Sequence, residues 1–206
     1  MKEYYTILNE SESEFIINRS RFITTAKHIK NMEEAREFIA KINKKYSDAT
    51  HNCYAFISDK LGLEMRFSDD GEPGGTAGQP ILEVLKKKNL KEVVVVVTRY
   101  FGGIKLGAGG LVSAYTEGAV SCLDNAKIAR MVLSNVYSIT LDYTTFSIVE
   151  KMLREQAVVK DVKYDTFVTI TFAVDVDNTT VLENLKNITQ GKTPTKISEE
   201  YIDVNN

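Results

Sequence analysis

The chain has two cysteines, no long apolar run and no marked excess of either charge, and each shortage removes a class of protein. Cys53 and Cys122 are too few and too far apart for a disulfide framework, so a reducing, cytoplasmic setting is expected and both side chains read as buried small hydrophobes. No cysteine–histidine cluster has the spacing of a zinc site, so no metal is expected. The longest apolar run, Val93-Val94-Val95-Val96-Val97, is far short of the ~20 residues of a membrane span, and Met1-Lys2-Glu3-Tyr4-Tyr5 has no apolar signal core. A formal net charge of −2 gives no general reason for strong non-specific nucleic-acid binding, although a local basic patch would escape that sum. There is no Gly-x-Ser-x-Gly elbow around Ser113 or Ser121, no Walker A spacing and no dinucleotide fingerprint.

What is present is an ordinary globular composition, 43% hydrophobic and 26% charged over 206 residues, with glycine concentrated in two places. The first stretch runs Asp69-Asp70-Gly71-Glu72-Pro73-Gly74-Gly75-Thr76-Ala77-Gly78-Gln79-Pro80. The second runs Thr98-Arg99-Tyr100-Phe101-Gly102-Gly103-Ile104-Lys105-Leu106-Gly107-Ala108-Gly109-Gly110. Between them lies the valine strand, which reads as a buried strand with a polar loop at each end. Glycine is needed where φ is positive or where another molecule approaches the backbone, so these loops are the expected functional surface.

Strand signals fill the first thirty residues: Tyr5–Leu8, a polar turn over 9–13, Phe15–Ile17 and Phe22–Ala26. Asn31 reads as an N-cap for a helix from Met32 to Tyr46, with Glu33 and Glu34 in its first turn. Cys53–Ile57 and Leu63–Phe67 read as paired strands. A helix begins near Thr76 and Pro80 and ends in Lys86-Lys87-Lys88, cations that suit a helix C-terminus. Another helix runs from Leu106 or Gly109 to Leu123. The pattern restarts after a boundary over 125–133. A strand (Val136–Leu141), a helix capped by Thr144 or Thr145 and ending at Gln156, a hairpin turning at Asp165-Thr166, a helix stopped at Gly191 and a last strand (Lys196–Val204) follow. This β-α-β-β-α-β order is the split βαβ, ferredoxin-like pattern. The expected fold class is therefore α+β, with one domain over 1–130 and a ferredoxin-like one over 131–206.

The second glycine stretch opens a helix, where unpaired N–H groups and partial positive charge favour an anion. Arg99 and Lys105 stand beside it. A phosphate or carboxylate site built from Arg99, Tyr100, Gly102, Gly103, Lys105, Gly107, Gly109 and Gly110 is one reading; tight strand-to-helix packing is the other. Asp69, Asp70 and Glu72 could ligate Mg²⁺, act as acid or base, salt-bridge to Arg99 and Lys105, or simply make a turn. Thr76 and His51 are possible supporting residues. His51 and Cys53 share a strand face, so a nucleophilic pair is conceivable, with a structural role preferred. Tyr100 and Phe101 beside Arg99 could stack a base or hold a peptide, with core packing preferred for Phe101.

Several of these stretches together resemble the YigZ/IMPACT family. They are Ser20-Arg21-Phe22-Ile23, Ala49-Thr50-His51-Asn52-Cys53-Tyr54-Ala55, Asp69-Asp70-Gly71-Glu72-Pro73 through Gly75-Thr76-Ala77-Gly78, Pro80-Ile81-Leu82, Val97 through Gly107, Gly109-Gly110-Leu111-Val112 and Ala114-Tyr115. The resemblance covers roughly the first 125 residues, and the remainder looks like the second domain of two-domain bacterial members. It implies a first domain like the second domain of a small-subunit ribosomal protein, a fold shared with GHMP-type kinases. Those kinases bind nucleotide phosphates at a glycine-rich helix start, here Gly107 to Gly110. It implies a second domain like those of elongation factor G. Eukaryotic relatives regulate translation under stress by binding a ribosome-associated activator of an initiation-factor kinase. Ser113 stands where members usually carry arginine, which weakens a strict carry-over of binding residues. The expectation is a cytoplasmic, non-catalytic regulator of translation without cofactor or membrane, whose partner is the ribosome, RNA or a translation-factor protein. The alternative is a nucleotide- or phosphometabolite-binding enzyme using the same loops. The oligomeric state is left open.

Overall fold

The computed structural model describes residues 2–204. Its contacts divide the chain into two compact units, one of Tyr4–Ala129 and one of Arg130 onward that also takes in Lys2 and Glu3.

The centre of the first unit is β6 (Val93–Tyr100). On one side it pairs with β3 (Ser20–His28), which pairs with the edge strand β2 (Ser11–Ile17). On the other it pairs with β4 (His51–Ile57), then with the short edge strand β5 (Met65–Ser68). All these pairings are antiparallel. Side chains alternate across a strand, and the five valines divide accordingly. Val93, Val95 and Val97 enter one core with Phe22, Cys53, Leu85 and Tyr115, while Val94 and Val96 enter a second with Phe38, Ile42 and Phe56. Every one of them is fully buried, each worth about 1.5 kcal/mol or more in apolar surface removed from water. β1 (Glu3–Ile7) contributes Tyr4 and Ile7 to the buried set, and Tyr5 bridges to Leu90.

α1 (Met32–Lys45) covers the Val94/Val96 face. Its N-cap is Asn31, whose Oδ1 accepts from the Glu34 N–H at 2.9 Å, as the sequence suggests. The opposite face carries α2 (Gly78–Lys87) over β4 and β5, and α3 (Gly107–Asp124) over β2 and β3. Residues 9–13, read as a turn, differ: Ser11 already begins β2, opposite Ala26. A half-exposed edge strand tolerates polar residues on its outer face, so composition hid it.

In the second unit, β7 (Ile128–Leu141), α4 (Tyr143–Gln156), β8 (Val158–Tyr164), β9 (Val168–Asp175), α5 (Thr180–Ile188) and β10 (Thr195–Asp203) follow the expected order. The strands lie β10-β7-β9-β8, all antiparallel, with both helices packed on the Ile139, Leu141, Ile170 and Phe172 face. Three details depart from the sequence reading. β7 starts at Ile128, inside the stretch taken as a boundary. The cap of α4 is Asp142, not Thr144 or Thr145; its Oδ1 accepts from the Thr145 N–H at 2.9 Å. α5 ends at Ile188, three residues before the expected stop at Gly191: Gln190, at φ +55°, takes the left-handed position after the C-cap Thr189, and the Gly191 N–H, at φ +100°, donates to the Lys186 carbonyl. No helix among the described residues is long and apolar enough to cross a membrane.

Candidate functional site

The two glycine stretches meet at one end of β6, rather than lying at opposite ends of it. β5 runs toward the end where β4 begins, with Ser68 opposite Tyr54, so the first stretch leaves the sheet there. α2 then carries the chain back before β6 returns it, placing His51 directly opposite Arg99. Thr50, His51, Glu72, Pro73, Arg99, Phe101, Lys105, Leu106, Gly107, Ala108 and Leu111 line the resulting cleft of about 370 Å³, small-ligand size.

The floor is a buried ion pair. Arg99 Nη1 donates to Glu72 Oε1 at 2.6 Å, and both residues are more than nine-tenths buried. Glu72 Oε1 also accepts from the Tyr115 hydroxyl at 2.8 Å. Arg99 Nη2 lies 3.3 Å from Ser20 Oγ, and the guanidinium sits between the rings of Phe22 and Phe101 at 5.5 and 5.3 Å from their centroids. Of the readings open for the acidic stretch, Glu72 therefore takes the salt bridge to Arg99, with no bond to Lys105.

Asp69 and Asp70 build the turn. Asp69 Oδ1 accepts from the Ala77 and Gly78 N–H groups at 3.0 and 2.8 Å, and its Oδ2 from the Gly75 N–H at 2.8 Å. The N-cap residue of α2, Ala77, makes no side-chain cap bond, so an aspartate eight residues earlier serves the orphan donors of that helix start. Thr76 Oγ1 donates to the Pro73 carbonyl at 2.7 Å and closes the same loop. Asp69→Ala is expected to lose about 2 kcal/mol, since three N–H groups lose one acceptor. Urea unfolding of the variant against Asp69→Asn measures it, and a loss below about 0.5 kcal/mol would contradict this role. Asp70, at φ +42°, accepts the Asn52 N–H on Oδ2 at 2.6 Å. Among the described residues no three His, Cys, Asp or Glu side chains gather as metal ligands would.

His51 Nδ1 lies 2.7 Å from the Asp70 carbonyl, which can only accept, so the proton sits on Nδ1. The other ring nitrogen, Nε2, lies 3.8 Å from Glu72 Oε2. Cys53 does not partner it. The thiol donates toward the Asp69 carbonyl at 3.0 Å and Tyr115 Oη at 3.3 Å, and burial pushes its pKa up to about 12, so it stays a thiol at neutral pH. Neither hydrogen bond of the thiol goes to His51, in keeping with the structural role preferred for Cys53. Burial also raises the Tyr115 phenol well above its ordinary value, with Cys53 and Glu72 adding to the shift.

Two expected residues stand elsewhere. Tyr100 follows Arg99 on the strand and so points to the opposite face, where its hydroxyl donates to Asp48 at 2.8 Å and Arg21 lies over its ring. Gly102 packs against backbone: a Cβ there would come within 2.0 Å of the Arg19 carbonyl carbon. Gly103 and Gly107, at φ +83° and +72°, let the loop turn into α3, and a Cβ at Gly109 would meet nothing within 4 Å. Gly110 lies in the first turn, close to Leu106. Phe101 is 45% exposed and lines the cleft, contrary to the core role preferred for it. Lys105 also lines it and is the one cation there with no acidic partner among the described residues. The first turn of α3 has no side-chain cap, and its residues Gly107 and Ala108 line the same cleft. Tyr115 and Ser20 were missed as site residues, although both stand inside the stretches that carry the family resemblance.

Those stretches decide the relationship. Residues 18–123 match the Impact N-terminal domain, and residues 139–192 match a domain of unknown function, DUF1949. The chain belongs to the IMPACT family. It is 39% identical over 201 residues to the IMPACT family member YvyE of Bacillus subtilis, covering 97% of this chain and 93% of that protein. To the IMPACT family member YigZ of Escherichia coli it is 37% identical over 139 residues, 66% of this chain and 68% of YigZ. A crystal structure described as that of a hypothetical protein superposes with a TM-score of 0.62 at 28% identity, covering 99% of this chain and 98% of the other. The likeness therefore spans both halves of this IMPACT family member.

Proposed function

We propose that this IMPACT family member is a non-catalytic, cytoplasmic regulator of translation that holds an acidic segment of a ribosome-associated protein in its cleft. The observation that carries this reading is the charge state of the cleft. Arg99 is neutralised by Glu72 at 2.6 Å, which leaves Lys105 beside the uncapped start of α3 and the apolar Phe101, Leu106 and Leu111. An RNA strand asks for several phosphate contacts at once, whereas one free cation with apolar walls suits a carboxylate flanked by hydrophobic side chains. The resemblance to translation regulators among eukaryotic relatives supports the same reading.

Sedimentation with ribosomes tests it. The protein should travel with factor-bearing ribosomes at about 50 mM salt, and Lys105→Glu should lower that association about tenfold. Association should disappear when the ribosomes are first stripped of bound factors. No association at low salt would defeat the proposal. Equal binding to stripped ribosomes, abolished by ribonuclease, would show RNA to be the partner.

A second reading draws on His51 and Glu72, which both line the cleft with Nε2 3.8 Å from Oε2 and could exchange a proton with a bound nucleotide or phosphometabolite. A nucleotide present at 100 times its Kd would stabilise the protein by about 2.7 kcal/mol. A nucleotide panel with Mg²⁺ that gives no thermal shift removes this enzymatic alternative.

A further inference from the structure

We infer that the free edge of β5 is where two copies of this chain pair, strand against antiparallel strand, about a two-fold axis. β5 ends the order β2-β3-β6-β4-β5 and is paired on one side only, with β4. The Ser58 N–H donates to the Glu64 carbonyl at 2.9 Å, which sets the phase of that ladder. Glu64, Arg66 and Ser68 turn their main-chain groups toward β4, and Leu63, Met65 and Phe67 turn theirs outward. The side chains alternate as well. Met65 and Phe67 stand opposite Ile57 and Ala55, on the face of the first core, and Leu63 falls on the same face. Arg66 stands opposite Phe56 on the other face, and Glu64 shares it. Leu63 is 75% exposed and Phe67 44%. An edge that shows outward main-chain groups together with large apolar side chains is a pairing surface unless proline or charge blunts it.

The charges here select the occupant and its register. Glu64 and Arg66 flank Met65 and are both exposed. Glu64 accepts from Ser58 Oγ at 3.2 Å and Arg66 Nη1 donates to the Met65 carbonyl at 2.8 Å; among the described residues neither forms an ion pair. Centre a two-fold pairing on Met65, and Glu64 of each copy faces Arg66 of the other, twice. In the same register Leu63 faces Phe67, also twice, and the outward groups of the two Met65 residues bond each other. Arg66 then releases its own Met65 carbonyl to the second copy's N–H. Moving the axis one residue toward the C-terminus sets Arg66 against Arg66, and one residue the other way sets Glu64 against Glu64. Like charges directly opposite disfavour both slips. This symmetry of charge and apolar bulk about one residue is what a second copy of the chain fits. Residues 63–67 share nothing with the lining of the Lys105 cleft, so the two proposals stand or fall separately.

Sedimentation velocity on the full chain tests the pairing. Between about 1 and 200 µM the protein should move from one to two chain masses. Glu64→Arg and Arg66→Glu, both at exposed positions, should each stay folded by circular dichroism and weaken association about tenfold, because each change acts twice. An equimolar mixture of these two variants should associate to within about threefold of the original, since every opposed pair is then of unlike charge. Amide exchange of Met65 and Phe67 should slow as concentration rises, while that of Arg66, already bonded to β4, should not change. A monomer throughout the range, a mixture no better than its parts, or a dimer that leaves the Met65 and Phe67 amides unprotected would each overturn the inference. A monomer whose Met65 and Phe67 amides are protected only with factor-bearing ribosomes would give the edge to a strand of another protein, and would overturn it too.

Discussion

Replacing Glu72 with alanine should remove about 3–5 kcal/mol from the stability of the first unit, because it leaves the Arg99 guanidinium buried with its carboxylate gone. The remaining contacts of Arg99 are Ser20 Oγ at 3.3 Å and two aromatic faces, and its Nε has no partner. Tyr115, fully buried, would lose its acceptor too. Glu72→Gln should fall between, since it keeps an acceptor for Tyr115 while losing the charge. Pairing Glu72→Met with Arg99→Met should recover part of the loss, because no unpaired charge then remains inside. Urea titrations of the four proteins, followed by far-ultraviolet circular dichroism, measure the series. A Glu72→Ala midpoint within about 1 kcal/mol of the parent would mean that water reaches the guanidinium and that the site is wetter than described.

Gly102→Ala should be the next most damaging single change, at about 2–4 kcal/mol. The added methyl group would lie 2.0 and 2.1 Å from the carbonyl carbon and oxygen of Arg19 and 2.5 Å from the Ser20 nitrogen. Those are main-chain atoms of the turn into β3, which is tied to β6 by the Arg21–Tyr100 register, so they cannot swing aside as a long side chain would. The Gly102 N–H donates to Ser20 Oγ at 3.2 Å, so backbone displacement would also disturb Arg99's second partner. Gly109→Ala, with open space around it, serves as the control and should change stability by less than about 1 kcal/mol. Equal midpoints for the two variants would refute the close-packing role given to Gly102.

Local patterns in the sequence were enough to place the helices and nearly all the strands. Asn31 before a 3.6-residue apolar repeat, and Gly191 after one, need only neighbours to be read. The cleft was legible in part. Glycine, Arg99 and Lys105 marked the right loops, but the chemistry is set by contacts between distant residues: Glu72 meets Arg99 27 positions away and Tyr115 43 away. Nothing local says that Asp69 reaches forward to cap α2, because its partners are backbone groups that every sequence has. Tyr100 was misplaced for a simpler reason. Strand geometry runs through Arg99 to Tyr100, and the alternation of faces separates two neighbours that a motif reading joins.

The position of the five valines has a consequence for handling the protein. A β-branched, uncharged run without proline is the kind of segment that stacks into cross-β fibrils when chains meet through it. Here both of its hydrogen-bonding edges are occupied, by β3 and β4, and both of its faces are covered by helices. Any change that frees β4 or β3 from β6 exposes a template for fibre growth, so insolubility rather than a soluble unfolded chain is the expected fate of badly destabilised variants.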